Sequence, residues 1–198
     1  MNKIRFGIVG TGNIAHRFAD AIQNVPQAEL SAIASRTKEN AEKFGDEYNI
    51  PNRFYSYEAM AKSDAIDVAY IAVPHSGHAE CSILMMNNKK HVICEKPVTL
   101  SVESFDRIVE AANKNNRVFS VHQNRRWDTD FVLIKNLIES KEIDDVIRIE
   151  SRVHGSRGVP GGWRSKKENG GGLVLDWGVH LIDQMLQVIT DEIDTISC

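Results

Sequence analysis

Ile4-Arg5-Phe6-Gly7-Ile8-Val9 is an apolar run that leads directly into Gly10-Thr11-Gly12-Asn13-Ile14-Ala15, behind which a helical pattern begins. A strand, a glycine turn and an amphipathic helix in this order are typical of a dinucleotide site. Gly10 permits the tight turn, Gly12 lets the backbone approach a pyrophosphate, and Ala15 lets the helix pack near the strand. The N–H groups at the start of that helix favour phosphate anions. A glycine turn between any strand and helix is the alternative. We predict nucleotide contacts from Gly10, Thr11, Gly12, Asn13 and Ile14.

Length and charge argue against several classes of protein. The 198 residues fit one large domain or two small ones, and the formal net charge is only −3, with acids and bases interspersed. We therefore expect no nucleic acid and no membrane surface as a partner. We expect no signal peptide, and no apolar run approaches the roughly 20 residues of a membrane span. Cys81, Cys94 and Cys198 lack metal-ligand spacing. We expect a cytoplasmic protein with reduced thiols and no metal site.

Strand and helix patterns alternate through the first 122 residues. The predicted strands cover residues 4–9, 29–35, 68–73, 91–94 and 118–121. The predicted helices cover residues 13–24, 38–48, 56–62, 77–88 and 101–115. Helices between successive strands predict right-handed crossovers, and therefore an α/β fold with a doubly wound parallel sheet. We interpret residues 1–122 as an NAD(P)-binding domain of the Rossmann type.

The pattern changes after residue 122. A helix over residues 128–139 precedes a strand over 145–153 and a glycine-rich loop over 154–172, and a helix over 173–189 leads into a strand-like end over 193–198. We interpret residues 123–198 as the start of a second, incomplete α/β domain, because a two-stranded sheet is marginal alone. Bare strand edges and apolar faces recruit partners, so we expect a homo-oligomer through this half, or local disorder over residues 154–172.

The end of the second predicted strand bears on the choice between NAD and NADP. Sites that prefer NAD place an acid here, about twenty residues after the glycines, to hold the ribose 2′-hydroxyl. This chain has Ser35-Arg36-Thr37 instead. Arg36 can bind a 2′-phosphate bidentately, and the two hydroxyls can add donors. Thr37 as a helix cap beside a solvated Arg36, or Arg36 stacked on adenine, are the alternatives. We predict NADP(H) in preference to NAD(H).

Lys96 follows the strand at residues 91–94, within Glu95-Lys96-Pro97. Ligands of open α/β sheets collect at the carboxyl ends of the strands, where this lysine is expected. Pro97 biases Lys96 toward extended geometry and so fixes its direction. Near a cationic nicotinamide the lysine pKa would fall, which suits proton exchange with a substrate oxygen. The alternative is a surface lysine paired with Glu95.

Asp176 and His180 stand four residues apart on the predicted helix over 173–189, and therefore share one face. The glycines at 170–172 let the backbone approach a ligand closely. A carboxylate beside an imidazole supports its protonated form, which suits a general acid or base near neutral pH. A buried polar pair without a catalytic role is the alternative, and no third ligand at suitable spacing favours a metal.

Other polar residues carry weaker signals. The histidines at the ends of strands and in loops are interpreted as ordinary, hydrogen-bonded side chains: His75, His78, His91 and His122. Trp163-Arg164 in the glycine-rich loop could clamp a nucleotide between an aromatic face and a cation. Its alternative role is to anchor the loop.

Together these motifs resemble the glucose–fructose oxidoreductase/inositol dehydrogenase (Gfo/Idh/MocA) family. The resemblance rests on residues 7–15, Glu95-Lys96-Pro97 and residues 170–180, in the family's order. Ser35-Arg36, residues 123–127 and Trp163-Arg164 look most like the dihydrodiol dehydrogenase and anhydrofructose reductase branch, which uses NADP(H). His75 departs from the family, many members of which have Asn after the proline at this position.

The resemblance implies a Rossmann domain, a second domain on an open, mainly antiparallel sheet, and hydride transfer between nicotinamide and a carbon of a sugar, cyclitol or related diol. By matching position, Lys96 would contact the reacting oxygen and the nicotinamide ribose, Asp176 would orient, and His180 would relay the proton. Further implied cofactor contacts are Ala72, Val73, Pro74, His78, Glu95, Lys96, Asn124, Trp163 and Arg164.

Length sets this chain apart from the family, whose members continue well beyond residue 198. We expect a truncated second domain, and weak or absent turnover because one wall of the substrate pocket is missing. A non-catalytic nucleotide sensor or scaffold on the same fold is the second hypothesis. The intact Lys96, Asp176 and His180 argue against it, because a sensor needs no proton relay.

Overall fold

The computed structural model describes residues 3–155, 161–189 and 192–197. The chain divides into two compact units. The first comprises residues 1–122 with 168–170, and the second comprises residues 123–167 with 171–198.

The first unit contains a six-stranded parallel sheet in the order β3-β2-β1-β4-β5-β6. Its strands are β1 (Ile4–Val9), β2 (Ala28–Ala34), β3 (Asn52–Phe54), β4 (Val68–Ile71), β5 (His91–Cys94) and β6 (Phe119–Val121). The five predicted strands are confirmed with small shifts at their ends. The short strand β3 was missed, because Asn-Arg-Phe shows no apolar alternation that could mark it.

Five α-helices lie between these strands. They are α1 (Asn13–Ile22), α2 (Lys38–Glu47), α3 (Tyr57–Lys62), α4 (His78–Asn87) and α5 (Val102–Asn115). Two begin at a serine whose hydroxyl accepts a main-chain N–H of the first turn: Ser56 from Ala59 at 3.1 Å, and Ser101 from Ser104 at 3.2 Å. These caps explain why the helix starts could be predicted within a residue or two.

Alternate residues of β4 and of the position directly after it enter two separate apolar clusters. Ala69 and Ile71 pack with residues of α3, α4 and α5, whereas Tyr70 and Ala72 pack with residues of α1 and α2. Successive side chains of a strand point to opposite faces, so helices cover both faces of the sheet. The predicted doubly wound α/β fold is confirmed.

The second unit contains α6 (Thr129–Glu139), a π-helical segment (Val174–Gly178) and α7 (Val179–Val188). The two helices predicted in this half are confirmed, with a π-helical first turn in the later one. A short 3₁₀ helix at Gly162–Ser165 lies in the predicted glycine-rich loop, of which residues 156–160 fall outside the described part.

The two strands predicted after residue 122 are absent from the described part of the second unit. Residues 145–153 and 192–197 have no regular secondary structure, and Cys198 lies outside the described residues. The strand prediction was therefore wrong at residues 145–153. It was also wrong at residues 193–197, the described part of the strand predicted over 193–198. A strand forms only where a partner completes its ladder of hydrogen bonds, and the apolar pattern alone does not supply that partner.

Candidate functional site

The turn after β1 has the geometry that the glycines predict. Gly10 has φ +106°, and a Cβ there would lie 2.6 Å from the carbonyl oxygen of Ala72, which follows β4. Its N–H donates to the carbonyl oxygen of Ala34 at 2.9 Å. Only glycine fits this position, because both the dihedral angle and the close approach exclude a side chain. The turn therefore lies against the ends of β2 and β4.

Gly12 holds the N-cap position of α1 in an extended conformation. A Cβ at Gly12 would meet no atom within 4 Å, so the space in front of the helix is open on this side. The N–H of Ala15 donates to the Gly12 carbonyl oxygen at 2.9 Å. Because glycine has no side chain to cap the helix, the N–H groups of Asn13 and Ile14 before it are left for an anion. Ala15, one turn later, is fully buried, as close packing of helix and sheet requires.

The position of this turn within the sheet also favours a ligand site. The strand order reverses between β1 and β4, which start neighbouring halves of the sheet. In open α/β sheets, ligands bind outside the carboxyl ends of the strands at such a switch point. The segments containing Thr11, Asn13 and Ile14 follow β1 at this edge, and Ala72, Val73 and Pro74 follow β4.

Arg36 is exposed directly after β2. Burial raises the pKa of the Tyr57 hydroxyl. The Arg36 guanidinium, which is near enough to interact with that hydroxyl, acts to lower the same pKa. Ser35 is buried, and its hydroxyl accepts the N–H of Thr37 at 3.4 Å. Thr37 occupies the N-cap position of α2 without a side-chain cap bond. The alternative of Thr37 as a side-chain cap is therefore not supported.

His78, a predicted cofactor contact, is fully buried at the start of α4. Its Nδ1 lies 2.7 Å from the carbonyl oxygen of Pro97, and its Nε2 lies 3.0 Å from that of Val73. Burial lowers the pKa of this imidazole, although both carbonyls act to raise it. The His78 side chain thus ties the loop after β4 to the loop after β5, and any contact with a cofactor from this residue is left to its main chain.

The other three histidines interpreted from the sequence, His75, His91 and His122, also have partners, as predicted. The Nδ1 of His75 lies 2.8 Å from the carbonyl oxygen of Gly170, and the Nδ1 of His91 accepts the Val118 N–H at 2.9 Å. His122 contacts the carboxylate of Glu95, a residue predicted only as a cofactor contact or as a partner of Lys96.

Glu95 is 6% exposed and follows β5. Its Oε1 accepts the Tyr70 hydroxyl at 2.5 Å and lies 2.8 Å from His122 Nδ1, and its Oε2 accepts the Lys96 N–H at 3.2 Å. Burial acts to raise the pKa of Glu95, but the hydrogen bonds from His122, Tyr70 and Lys96 outweigh it, so the pKa lies below its usual value. The carboxylate is therefore bound to protein donors.

Lys96 itself is partly exposed at the carboxyl end of β5, where the sequence placed it, and its peptide bond to Pro97 is cis. Sequence reasoning missed the contacts of Tyr70 and His122 with the neighbouring Glu95. The one signal for Tyr70 was a tyrosine within an otherwise apolar buried strand, because a buried phenol needs a hydrogen-bond partner.

Asp176 and His180 lie in the second unit, and both are buried. Asp176 belongs to the π-helical segment and His180 to the first turn of α7. The Nε of Arg164 lies 3.2 Å from Asp176 Oδ2. Short π-helical segments occur frequently at functional sites, because they alter the direction of side chains within a helix. The predicted contact between Asp176 and His180 remains a prediction.

Two glycines before this helix pack against the loop that carries Trp163 and Arg164. A Cβ on Gly171 would overlap the carbonyl oxygen of Arg164, which accepts the N–H of Gly172 at 2.9 Å. The Arg164 guanidinium lies over the Trp163 ring, 4.5 Å from its centroid. The glycines thus have a packing role here, which supports the loop-anchor alternative for Trp163-Arg164.

Asp183 was not singled out from the sequence. It lies three residues after His180 on α7 and binds the Arg126 guanidinium with both carboxylate oxygens, at 2.8 and 2.5 Å. Asn124, a predicted cofactor contact, begins the 3₁₀ helix that contains Arg126. Helical spacing from His180 and the basic pair at 125–126 were the signals that could have revealed this ion pair.

The first unit therefore gathers most predicted cofactor residues at one edge of its sheet, because the carboxyl ends of parallel strands meet there. The second unit contains Asn124, Trp163, Arg164, Asp176 and His180. Among the residues that the structure describes, no group of three or more His, Cys, Asp or Glu side chains could hold a metal ion. No helix in the described ranges is long and apolar enough to cross a membrane.

Comparison with protein families gives two matches. Residues 4–123 match the oxidoreductase family with an NAD-binding Rossmann fold, GFO_IDH_MocA, and residues 131–198 match the GFO/IDH/MocA C-terminal domain. Together the two matches cover nearly the whole chain.

Curated relatives and a solved structure agree with these matches. The chain is 30% identical over 192 residues to trans-1,2-dihydrobenzene-1,2-diol dehydrogenase of Danio rerio, covering 96% of this chain and 57% of that protein. It is 30% identical over 191 residues to scyllo-inositol 2-dehydrogenase (NADP(+)) IolW of Bacillus subtilis, covering 95% and 52%. An NAD-binding protein from Listeria innocua is 39% identical with a TM-score of 0.89, covering 96% and 56%. The chain thus spans about half the length of these relatives.

Proposed function

The chain belongs to the Gfo/Idh/MocA oxidoreductase family, and from that premise we propose that it binds NADP(H) and transfers a hydride between the nicotinamide and a CH–OH or C=O carbon of a sugar, cyclitol or related diol. The observation that carries the proposal is the glycine turn at the switch point of the sheet. It combines open space at Gly12 with an uncapped helix start, which suits a pyrophosphate.

Arg36 supports NADP(H) over NAD(H). Its exposed guanidinium stands at the carboxyl end of β2, where an NAD site needs a carboxylate. A carboxylate would repel a 2′-phosphate, whereas a guanidinium binds it with two parallel hydrogen bonds. The name of the Bacillus subtilis relative includes NADP(+), which is consistent with this choice.

Three residues are proposed to handle the proton. The bound nicotinamide would supply or accept the hydride. Lys96 would contact the reacting oxygen and exchange a proton with it. Asp176 would orient the His180 imidazole, and His180 would relay the proton. In this proposal residues 1–122 bind the nucleotide, and residues 123–198 form the start of the substrate domain.

We further propose that the protein is cytoplasmic and forms homo-oligomers through its second unit. Apolar side chains there are strongly exposed, among them Trp127 at 82%, Ile147 at 98% and Ile196 at 83%. Exposed apolar surface of this kind recruits a partner, and a second copy of the chain is the partner we propose.

The choice of cofactor is tested by replacing Arg36 with alanine. Loss of a charge-assisted contact costs about 1.5–3 kcal/mol, so the affinity for NADPH should fall roughly tenfold to a hundredfold while that for NADH is unchanged. Isothermal titration calorimetry measures both affinities. Arg107→Ala is the matched control, because it removes an exposed arginine of α5 that pairs with Glu80. An equal loss for both nucleotides in Arg36→Ala would contradict the proposed role.

A further inference from the structure

Three hydrogen-bond donors from separate parts of the first unit converge on the buried Glu95 carboxylate. They are the Tyr70 hydroxyl in β4, the His122 imidazole after β6 and the Lys96 main-chain N–H after β5. We propose that Tyr70 and His122 are positioning residues that keep Glu95 ionised, so that its second oxygen fixes the main chain of Lys96. The functional meaning of this network rests on the proposed role of Lys96 at the reacting oxygen.

Burial makes the two donors necessary. An ionised carboxylate out of water is costly unless hydrogen bonds replace its hydration. Burial alone acts to raise the pKa of Glu95, and the donors reverse that effect. Without Tyr70 or His122, we expect the pKa of Glu95 to rise to its usual value or above it, which favours the neutral acid. A neutral carboxyl accepts hydrogen bonds less strongly than a carboxylate, so protonation would weaken the bond from the Lys96 N–H.

The surroundings hold both donors in place. The Tyr70 ring is fully buried and stacks on Phe18 of α1, with 3.7 Å between centroids and 8° between ring planes. The main-chain N–H of His122 donates to the Cys94 carbonyl oxygen at 2.8 Å. The His122 ring meets the Tyr70 ring edge-on at 5.6 Å. The network therefore connects the helix behind the glycine turn with three neighbouring strands.

Other titratable groups lie around Glu95, and burial shifts the pKa of three of them away from their usual values. Burial, together with the Glu95 charge, raises the pKa of Tyr70 well above its usual value. Burial raises the pKa of Cys94 to about 12 and lowers that of His78. His122 is the partner already described, and Lys96 carries the amine next in sequence. Because the pKa of Glu95 lies below the usual value for a glutamic acid, acid is needed to protonate it.

The test follows two NMR signals of the complete chain against pH: the Glu95 side-chain carboxyl carbon and the Lys96 main-chain amide. In the unsubstituted chain both should titrate together, below the usual pKa of a glutamic acid. Tyr70→Phe and His122→Leu should each raise the common midpoint by about one pH unit, a tenfold change in acid strength. His122→Asn places an amide N–H near the former Nδ1 and should restore the original midpoint.

Tyr55→Phe is the matched control. Tyr55 also donates to a glutamate, Glu42 Oε1, at 2.5 Å, but lies outside this network. Its loss should leave the Glu95 midpoint unchanged. Because Tyr70 is fully buried, its variant counts only if the dispersion of amide signals is retained. The two variants of His122, whose side chain is 35% exposed, otherwise decide the result.

A second readout connects the network to function. With NADP⁺ and the sugar, cyclitol or diol that the chain oxidises, the acid limb of kcat should move to higher pH in His122→Leu and return in His122→Asn, whereas general loosening would lower kcat equally at all pH values. Absence of nucleotide binding by the unsubstituted chain would refute the proposed function, and the NMR titration would still decide the role of Tyr70 and His122. A Glu95 midpoint unchanged in His122→Leu, or a Lys96 amide that does not follow Glu95, would overturn the inference.

Discussion

Replacement of Lys96 by alanine is expected to lower kcat about 10²–10⁴-fold, the contribution typical of a general acid or base. Lys96 lies at the carboxyl end of β5, and its N–H is held by the buried Glu95 carboxylate. His180→Ala and Asp176→Ala should lower kcat within the same range if these residues relay and orient the proton. Nucleotide affinity should change little in His180→Ala and Asp176→Ala, and more in Lys96→Ala, because Lys96 is also proposed to contact the nicotinamide ribose.

The value of kcat is measured under steady-state conditions with a panel of sugars, cyclitols and diols, over long incubations because we expect slow turnover from this chain. Lys62→Ala is the matched control, since it removes a lysine from the last turn of α3. If all three variants kept the full rate, Asp176 and His180 would be structural residues.

Gly10→Ala and Gly12→Ser are expected to separate stability from nucleotide binding. Gly10→Ala forces a side chain into φ +106° and to within 2.6 Å of the Ala72 oxygen. Backbone strain alone should lower the free energy of unfolding by about 1–3 kcal/mol. Gly12→Ser has room in the free protein and supplies a good N-cap, so it should preserve stability or raise it by a few tenths of a kcal/mol.

The same Gly12→Ser variant should lose nucleotide affinity roughly a hundredfold, about 2.7 kcal/mol, because its hydroxyl takes helix N–H groups and fills space intended for phosphate. Chemical denaturation and calorimetry measure the two effects. Gly155→Ser is the control, since a Cβ there also meets nothing within 4 Å. Unchanged affinity in Gly12→Ser would show that the phosphates bind elsewhere.

The fold of the first unit could be predicted because each of its longer elements carries a local signal. Each of these signals lies within a few consecutive residues: the apolar strands, the serine caps at Ser56 and Ser101, and the glycine turn at residues 10–12. β3 could not be found, because its three residues pair with β2 through the main chain and show no pattern of their own. The failure at residues 145–153 has the opposite origin: the strand pattern is present, but no described strand pairs with it.

The positions of candidate site residues could be predicted only where a sequence motif assigns a residue type to one place in the fold. Gly10, Arg36 and Lys96 lie where the motif places them, at the carboxyl ends of β1, β2 and β5. The contacts of Glu95 were not predictable, because Tyr70 and His122 are 25 and 27 residues away and meet it only through the order of the parallel strands. His78 was expected to line the nucleotide, yet burial and two carbonyl partners direct its side chain inward.

Titration of NADPH and NADH into the unsubstituted chain tests the central claim most directly. The glycine turn, the uncapped start of α1 and the exposed Arg36 together predict binding of one nucleotide per chain, with NADPH bound at least about tenfold more tightly, or 1.4 kcal/mol. Calorimetry that detects saturable binding with this preference would support an NADP(H)-dependent oxidoreductase. Absence of saturable binding for both nucleotides would contradict the account.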